Sequence, residues 1–352
     1  MTAPRTAPRM PAEWEPQSAV QLAWPANRAD WPGKFAPIPW VFAEIIRHAL
    51  DGGRVMLAAV SAAHAAQARR CLKKAGVDAA DLEIVVTPLD RGWMRDISPA
   101  FVVRGGRKPR IEAAGFCFNG WAKYDNHGLD AQWPQFLTQT LGMPLRQALW
   151  KGEPVVLEGG GIDGNGEGTL LTTEECLLDR EIQPRNPGMS RRDYEGMFAK
   201  VLGVRQVVWL GKGIAGDDTH GHVDDLCRFV NPTTVVLCRE RNGNDANHRP
   251  LEENRERLQG LRLANGKKLA VVELPMPAPV VFDGMRLPAS YANFLITNTR
   301  IIVPTFNDSN DRIALGILAE LFPGRTVAGV HAVDLVWGLG TVHCLTHEIP
   351  AV

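Results

Sequence analysis

Apolar and polar positions along the chain follow two rhythms. Short β-branched or apolar runs, closed off by Gly, Pro, Asn or Asp, predict strands over residues 19–24, 55–60, 83–87, 100–103, 155–157, 169–172, 206–210, 234–238, 269–274, 293–297 and 300–304. Between them, apolar residues spaced three and four apart predict helices over 41–50, 62–75, 191–202, 252–264 and 311–321. Several helix ends carry their own chemistry: Ser61 stands at an N-cap, Ser190 with Asp193 makes a capping-box pattern, and Gly76 and Gly203 stop two helices. Strands and helices intermingle along the whole length, so the fold class is mixed α/β.

The order of elements recurs. Residues 158–171, 228–237 and 294–303 each read as a hairpin, with a polar strand, a tight turn and an apolar strand. Their anchor positions, with Trp24 and Asp96, fall about 60 to 75 residues apart, too long for a solenoid repeat and suited to a multi-element sector, of which about five fill the chain. No Pro/Ser-rich linker divides them, so residues 11–352 are read as one domain. Residues 1–10, dense in Pro, Thr and Ala, are expected to form a flexible tail.

Charge narrows the partners. Lys plus Arg and Asp plus Glu both number 39 in 352 residues, with no basic run, which argues against a nucleic-acid or anionic-membrane surface and for a small-molecule partner. The six cysteines include no Cys-x-x-Cys pair, so neither a disulfide framework nor a thiolate zinc site is expected. The N-terminus lacks a signal peptide's apolar core, and no apolar run approaches the roughly 18 residues of a membrane span; a cytoplasmic protein is expected.

Four places could carry chemistry. The segment 216–225 packs four carboxylates and two imidazoles into ten positions. On an extended chain His220, His222 and Asp224 would share one side. They would then bind a divalent ion, as in a metal amidohydrolase, or His222 would act as a general acid/base while Asp224 holds a cationic substrate. A polar turn with capping Asp residues is the plain alternative. The second place is Cys344, reached through Gly338 and Gly340 and flanked by His343 and His347. A lone Cys is usually a small buried hydrophobe, but neighbouring glycines admit a ligand closely, and Cys344 with His222 would make the pair a cysteine hydrolase needs. The third and fourth are Asp96, most simply an ion pair with adjacent Arg95, and Glu158, which could merely end a strand before Gly159. With Asp224 they would set three carboxylates at similar places in successive units, a match for the five fixed donors of a guanidinium. His48, His64 and His248, and Cys71, Cys117, Cys176, Cys227 and Cys238, are read as structural. The glycines 159–161 match no phosphate-binding loop, so no nucleotide is expected.

These residues resemble a known family, the agmatine deiminases and bacterial-type peptidyl-arginine deiminases of the guanidino-group-modifying superfamily. The likeness runs through Met10-Pro-Ala-Glu-Trp-Glu-Pro, Trp93-Met-Arg-Asp, Phe118-Asn-Gly-Trp, Leu157-Glu-Gly-Gly, Leu171-Thr-Thr-Glu-Glu-Cys, Asp217-Asp-Thr-His-Gly-His-Val-Asp, Ala289-Ser-Tyr-Ala-Asn-Phe and His343-Cys-Leu-Thr. It implies a five-sector α/β propeller of ββαβ-type units with pseudo-fivefold symmetry and a possible homodimer. It also implies agmatine hydrolysis to N-carbamoylputrescine and ammonia through a covalent thiouronium on Cys344. By the same likeness His222 is the acid/base, Asp96 and Asp224 grip the guanidinium, Glu158 pairs with His222 and touches substrate, Trp93 lines the pocket, and Gly340 leaves room beside the thiol. No metal or cofactor is implied. The chain departs from the family pattern at Asp90-Arg91-Gly92, at Leu339 and Thr341-Val342, at His347-Glu348 and in the loop around Trp121. These departures bear on the substrate's far end, where Arg91 would suit a carboxylate, so free or peptidyl arginine is the neighbouring reading. A non-catalytic guanidino-binding protein is the reading from another class.

Overall fold

A computed structural model describes residues 7–77, 79–105 and 108–352. Within it, one pairing rule is used five times. The strands Ala100–Arg104, Arg110–Gly115 and Leu145–Gln147 form an antiparallel pair and then a parallel one. The same rule holds for Asp163–Gly164, Thr169–Thr173 and Gln206–Leu210, for Cys227–Asn231, Thr234–Arg239 and Ala270–Pro275, and for Leu295–Ile296, Arg300–Thr305 and Thr326–His331. In the fifth sheet the chain's last strand, Thr346–Pro350, lies antiparallel to Gln17–Ala23, which then pairs in parallel with Arg54–Ala59, and that with Leu82–Val86. A strand near the start of the chain and one near its end are thereby joined in one sheet.

The rule has a steric cause. An antiparallel neighbour is reached by a tight turn, whereas a parallel neighbour needs a long crossover, usually helical. The crossovers include the helices Ile38–Leu50, Ala62–Lys74, Arg191–Leu202, His248–Leu258 and Asn310–Leu321. Their caps follow the sequence closely: the Ser61 hydroxyl accepts from the His64 N–H, Ser190 and Asp193 complete a capping box, and Gly203 takes the left-handed conformation that ends its helix. The parallel strands are buried as near-continuous apolar runs, as in Val55–Ala59 and Ile301–Val303.

Some expectations are corrected. The helix expected over 252–264 is His248–Leu258, because the chain turns at Gly260 and then makes a bridge between Arg262 and Lys268. Residues 155–157 form no strand; only Val156 bridges, to Cys117. Pro8 and Arg9, expected in a flexible tail, pair with Arg104 and Val103; residues 1–6 lie outside the described residues. Among the described residues no helix is long and apolar enough to cross a membrane.

Immediately before the first antiparallel strand of each sheet the chain makes a short bend. These bends hold Met94–Ile97, Gly159–Gly161, Val223–Asp225, the residues around Asn293, and Val342–Leu345. The first of them packs against the second and the last, and the second against the third.

Candidate active site

Each bend delivers one polar side chain to a shared buried centre. Asp96, Glu158, Asp224, Asn293 and Cys344 stand two to five residues ahead of their strands, and none is more than 5% exposed. His222, just ahead of Asp224, joins them and is fully buried.

The glycines explain how backbone and side chains fit so closely. A Cβ on Gly160 would lie 2.5 Å from His222 Nδ1 and 3.0 Å from Asp96 Oδ1, so only glycine lets this bend pass between them. Its N–H donates to Asp96 Oδ1 at 3.0 Å, while Trp121 Nε1 donates to Asp96 Oδ2 at 2.9 Å. A Cβ on Gly340 would lie 2.8 Å from the Trp93 ring and 3.3 Å from Cys344 Sγ.

Charge is distributed unevenly. Glu158 receives Arg185 Nε on both oxygens, at 3.0 and 3.2 Å, with both side chains fully buried. Burial pushes the Glu158 carboxyl up, but Arg185 and His222 outweigh it and bring it down to about 2. Asp224 accepts from His343 Nδ1 at 2.7 Å, and His343 Nε2 bonds Glu13 Oε2 at 2.8 Å. Against burial, that bond from His343 holds Asp224 below the usual carboxylate range. Asp96 is different: burial, with Asp224 and Glu158 nearby, lifts it to about 6 in spite of His222. Burial works against a charged His222, yet Asp96, Cys176 and Glu158 raise it well above its ordinary value. Burial and the carboxylates of Asp224, Asp225 and Asp96 push the Cys344 thiol well up. Among the described residues, Asp224 Oδ1 and both ring nitrogens of His222 lack a hydrogen-bond partner, with Asp96 Oδ1 3.8 Å and Glu158 Oε2 3.7 Å from the ring.

A cleft of about 560 Å³, open mouth included, leads to this centre. Cys344, Asp96, Gly340, Trp93 and Trp121 line it, together with Asp30, Arg91, Tyr124 and Asp218. Trp93 donates its Nε1 proton to Asp30 at 3.2 Å. A second cavity is lined in part by Glu13, Arg95, His343 and Glu348.

Cys344, His222, Glu158, Asp96, Asp224, Trp93 and Gly340, all singled out from sequence, are thus gathered at one place. Other expectations fail. His220 does not join His222 and Asp224: Asp217 caps the N–H groups of Gly221 and His222, His220 takes a left-handed φ of 64°, and its Nε2 bonds Asp179 at 2.8 Å. The chain there is a turn and not a strand, so the metal set His220, His222 and Asp224 is not assembled. Groups that could offer donors to an ion are Glu158, Cys176 and His222, and Asp224, Asp225 and Cys344. Both fit poorly, because Glu158 is already taken by Arg185 and an amide N–H of Asn293 occupies the second group. Asp96 makes no ion pair with Arg95, which turns to Glu348 at 2.9 Å. Cys176, read as structural, lies beside Glu158 and His222. Arg91 is paired with Asp30, donates to Asn126 and lies 4.0 Å over the Tyr124 ring. Sequence reasoning missed Glu13, Arg185, His343 and Asn293, whose partners lie far away along the chain.

The sequence matches the model of the Porphyromonas-type peptidyl-arginine deiminases over residues 9–350. The chain belongs to this family. An agmatine deiminase of Pseudomonas putida is 36% identical, over 97% of this chain and 95% of the relative. The solved agmatine deiminase of Enterococcus faecalis is 29% identical with a TM-score of 0.88, covering 98% of this chain and 96% of that one. An agmatine deiminase of C. jejuni carrying a cysteine-to-serine change, solved with substrate bound, is 27% identical with a TM-score of 0.86, covering 98% and 96%. The mixed α/β fold is that of these deiminases, and the chain is a hydrolase acting on carbon–nitrogen bonds of amidine or guanidino groups.

Proposed function

We propose that the chain hydrolyses agmatine to N-carbamoylputrescine and ammonia, through a covalent intermediate on Cys344. One observation carries the reading: a buried Asp224 oxygen without a hydrogen-bond partner stands with Asp96, a carboxyl lifted by burial, at a cysteine thiol. A planar cation with several donors satisfies both carboxylates, and its arrival also stabilises the thiolate that those carboxylates disfavour.

In this reading Asp96 and Asp224 hold the guanidinium with its carbon facing Cys344 Sγ, while Glu158 pairs with His222 and reaches the substrate. The Cys344 thiol loses its proton to solvent as the cation binds, the thiolate attacks, the carbon–nitrogen bond breaks, and His222 gives its proton to the leaving ammonia. His222 then takes a proton from water, whose oxygen adds to the same carbon and expels the thiolate. Trp93, Trp121 and Gly340 shape the slot. Arg91 is already engaged by Asp30 and Asn126, which favours a substrate without an α-carboxylate. We also infer that the five sheets stand as a pseudo-fivefold propeller around this centre. One site residue from each sheet at the same place in its unit supports that arrangement.

The test is ammonia release from agmatine, free arginine and an arginyl peptide by wild type and Cys344→Ala. The reading expects turnover of agmatine well above the others and none in the variant; turnover by Cys344→Ala, or preference for arginine, would overturn it.

A further inference from the structure

Four of the five bends contribute residues whose chemistry is accounted for, namely Asp96, Glu158, Asp224 and Cys344. The fifth contributes Asn293, at the equivalent place two residues before Leu295–Ile296. It is fully buried.

Its amide can be oriented without ambiguity. Asn293 Oδ1 accepts from Thr341 Oγ1 at 2.7 Å, His343 N at 3.0 Å and Cys344 N at 3.4 Å. Reversing the amide would turn its NH₂ toward two backbone N–H groups, so the nitrogen must face the other way. There Nδ2 lies 3.1 Å from Cys344 Sγ, 3.0 Å from Asp225 Oδ1 and 3.4 Å from Asp224 Oδ2. Two N–H bonds therefore span the sulfur and Asp225, with Asp224 a weaker third contact.

We propose that Asn293 is a catalytic residue, whose side-chain amide donates to the Cys344 sulfur and stabilises it as an anion, both when it attacks and when it is expelled. This rests on Cys344 being the nucleophile. The need for such a donor is plain from the surroundings, since Asp224, Asp225 and Asp96 all crowd negative charge around the sulfur. The chemistry stays balanced: the sulfur's electron pair forms the bond to carbon as ammonia leaves with the His222 proton. The pair returns to sulfur when the water oxygen has replaced it. Asn293 supplies no proton and changes only the energy of the charged sulfur.

The experiment uses Asn293→Asp, which keeps an acceptor for Thr341, His343 and Cys344 but replaces the amide donor, and Asn293→Ser, which removes it without adding a carboxyl. Alkylation of Cys344 by iodoacetamide is followed against pH by peptide mass analysis, beside kcat and KM on agmatine and the melting temperature. In the folded variants the pH midpoint of alkylation should rise by about one unit, and kcat should fall on the order of tenfold to hundredfold with KM within about threefold. An unchanged alkylation midpoint in both variants would overturn the proposal, as would a rise in KM alone. Because alkylation needs no substrate, a wild type that ignores agmatine would count against the functional reading and leave the Asn293 result to be judged by itself.

Discussion

Replacing Arg185 by Met separates the buried charge pair from the chemistry it supports. Arg185 Nε bonds both oxygens of Glu158, and its remaining nitrogens donate to the carbonyls of Gln183 at 2.9 Å and Thr219 at 2.6 Å. Glu158 sits at about 2 against an ordinary 4.5, a depression equivalent to about 3 kcal/mol of stability near neutral pH. A second route gives a similar figure, since removing one partner of a buried ion pair costs about 3–5 kcal/mol. The sign follows from the direction of the shift: the contribution is whole above the ordinary glutamate value and drains away as pH falls toward 2. Urea denaturation at pH 6 to 7 should therefore show Arg185→Met less stable by about 3–5 kcal/mol, and the gap should narrow by about 1 kcal/mol by pH 3.5. A gap below about 1 kcal/mol near neutrality, or one that widens on acidification, would refute the assignment of Arg185 as the counter-charge that keeps Glu158 ionised.

Gly340→Ala places a methyl 2.8 Å from the Trp93 ring and 3.3 Å from Cys344 Sγ, so kcat/KM on agmatine should drop by about tenfold or more and the melting temperature should fall by a few degrees; full activity would contradict the slot's geometry. His343→Gln loses at least one of the bonds to Asp224 and Glu13, so KM should rise about tenfold with a smaller change in kcat, which steady-state kinetics resolves. Exhaustive chelation should leave turnover intact; loss of activity, restored by a divalent ion, would revive metal chemistry.

Local rules carried the reading of the fold a long way. Ser190, Asp193 and Gly203 act through neighbours within a turn, and the helix Arg191–Leu202 matches its expected limits. The strands Arg110–Gly115 and Thr346–Pro350 were not foreseen, because Arg, Glu, Gly and Pro interrupt their apolar rhythm and a distant partner strand supplies the missing support. In the site, Cys344, His222 and the three carboxylates announced themselves by residue type and by their place in the repeat. His220 misled because period-two reasoning holds only for an extended chain, and the caps from Asp217 make a turn. Asn293 stood in the motif Ala289-Ser-Tyr-Ala-Asn-Phe without any sign of a role of its own; the fivefold recurrence of position supplies one, and that needs the sheet boundaries. Glu13 reaches His343 across almost the whole chain, a contact that spacing cannot foresee.

The most direct test of the central claim is to quench wild-type protein in acid during turnover of agmatine and weigh the peptide that contains Cys344. A covalent thiouronium predicts an adduct on that peptide with the mass of agmatine less ammonia, disappearing once substrate is exhausted. Steady turnover with no adduct on Cys344 at any quench time, and undiminished turnover in Cys344→Ala, would contradict it.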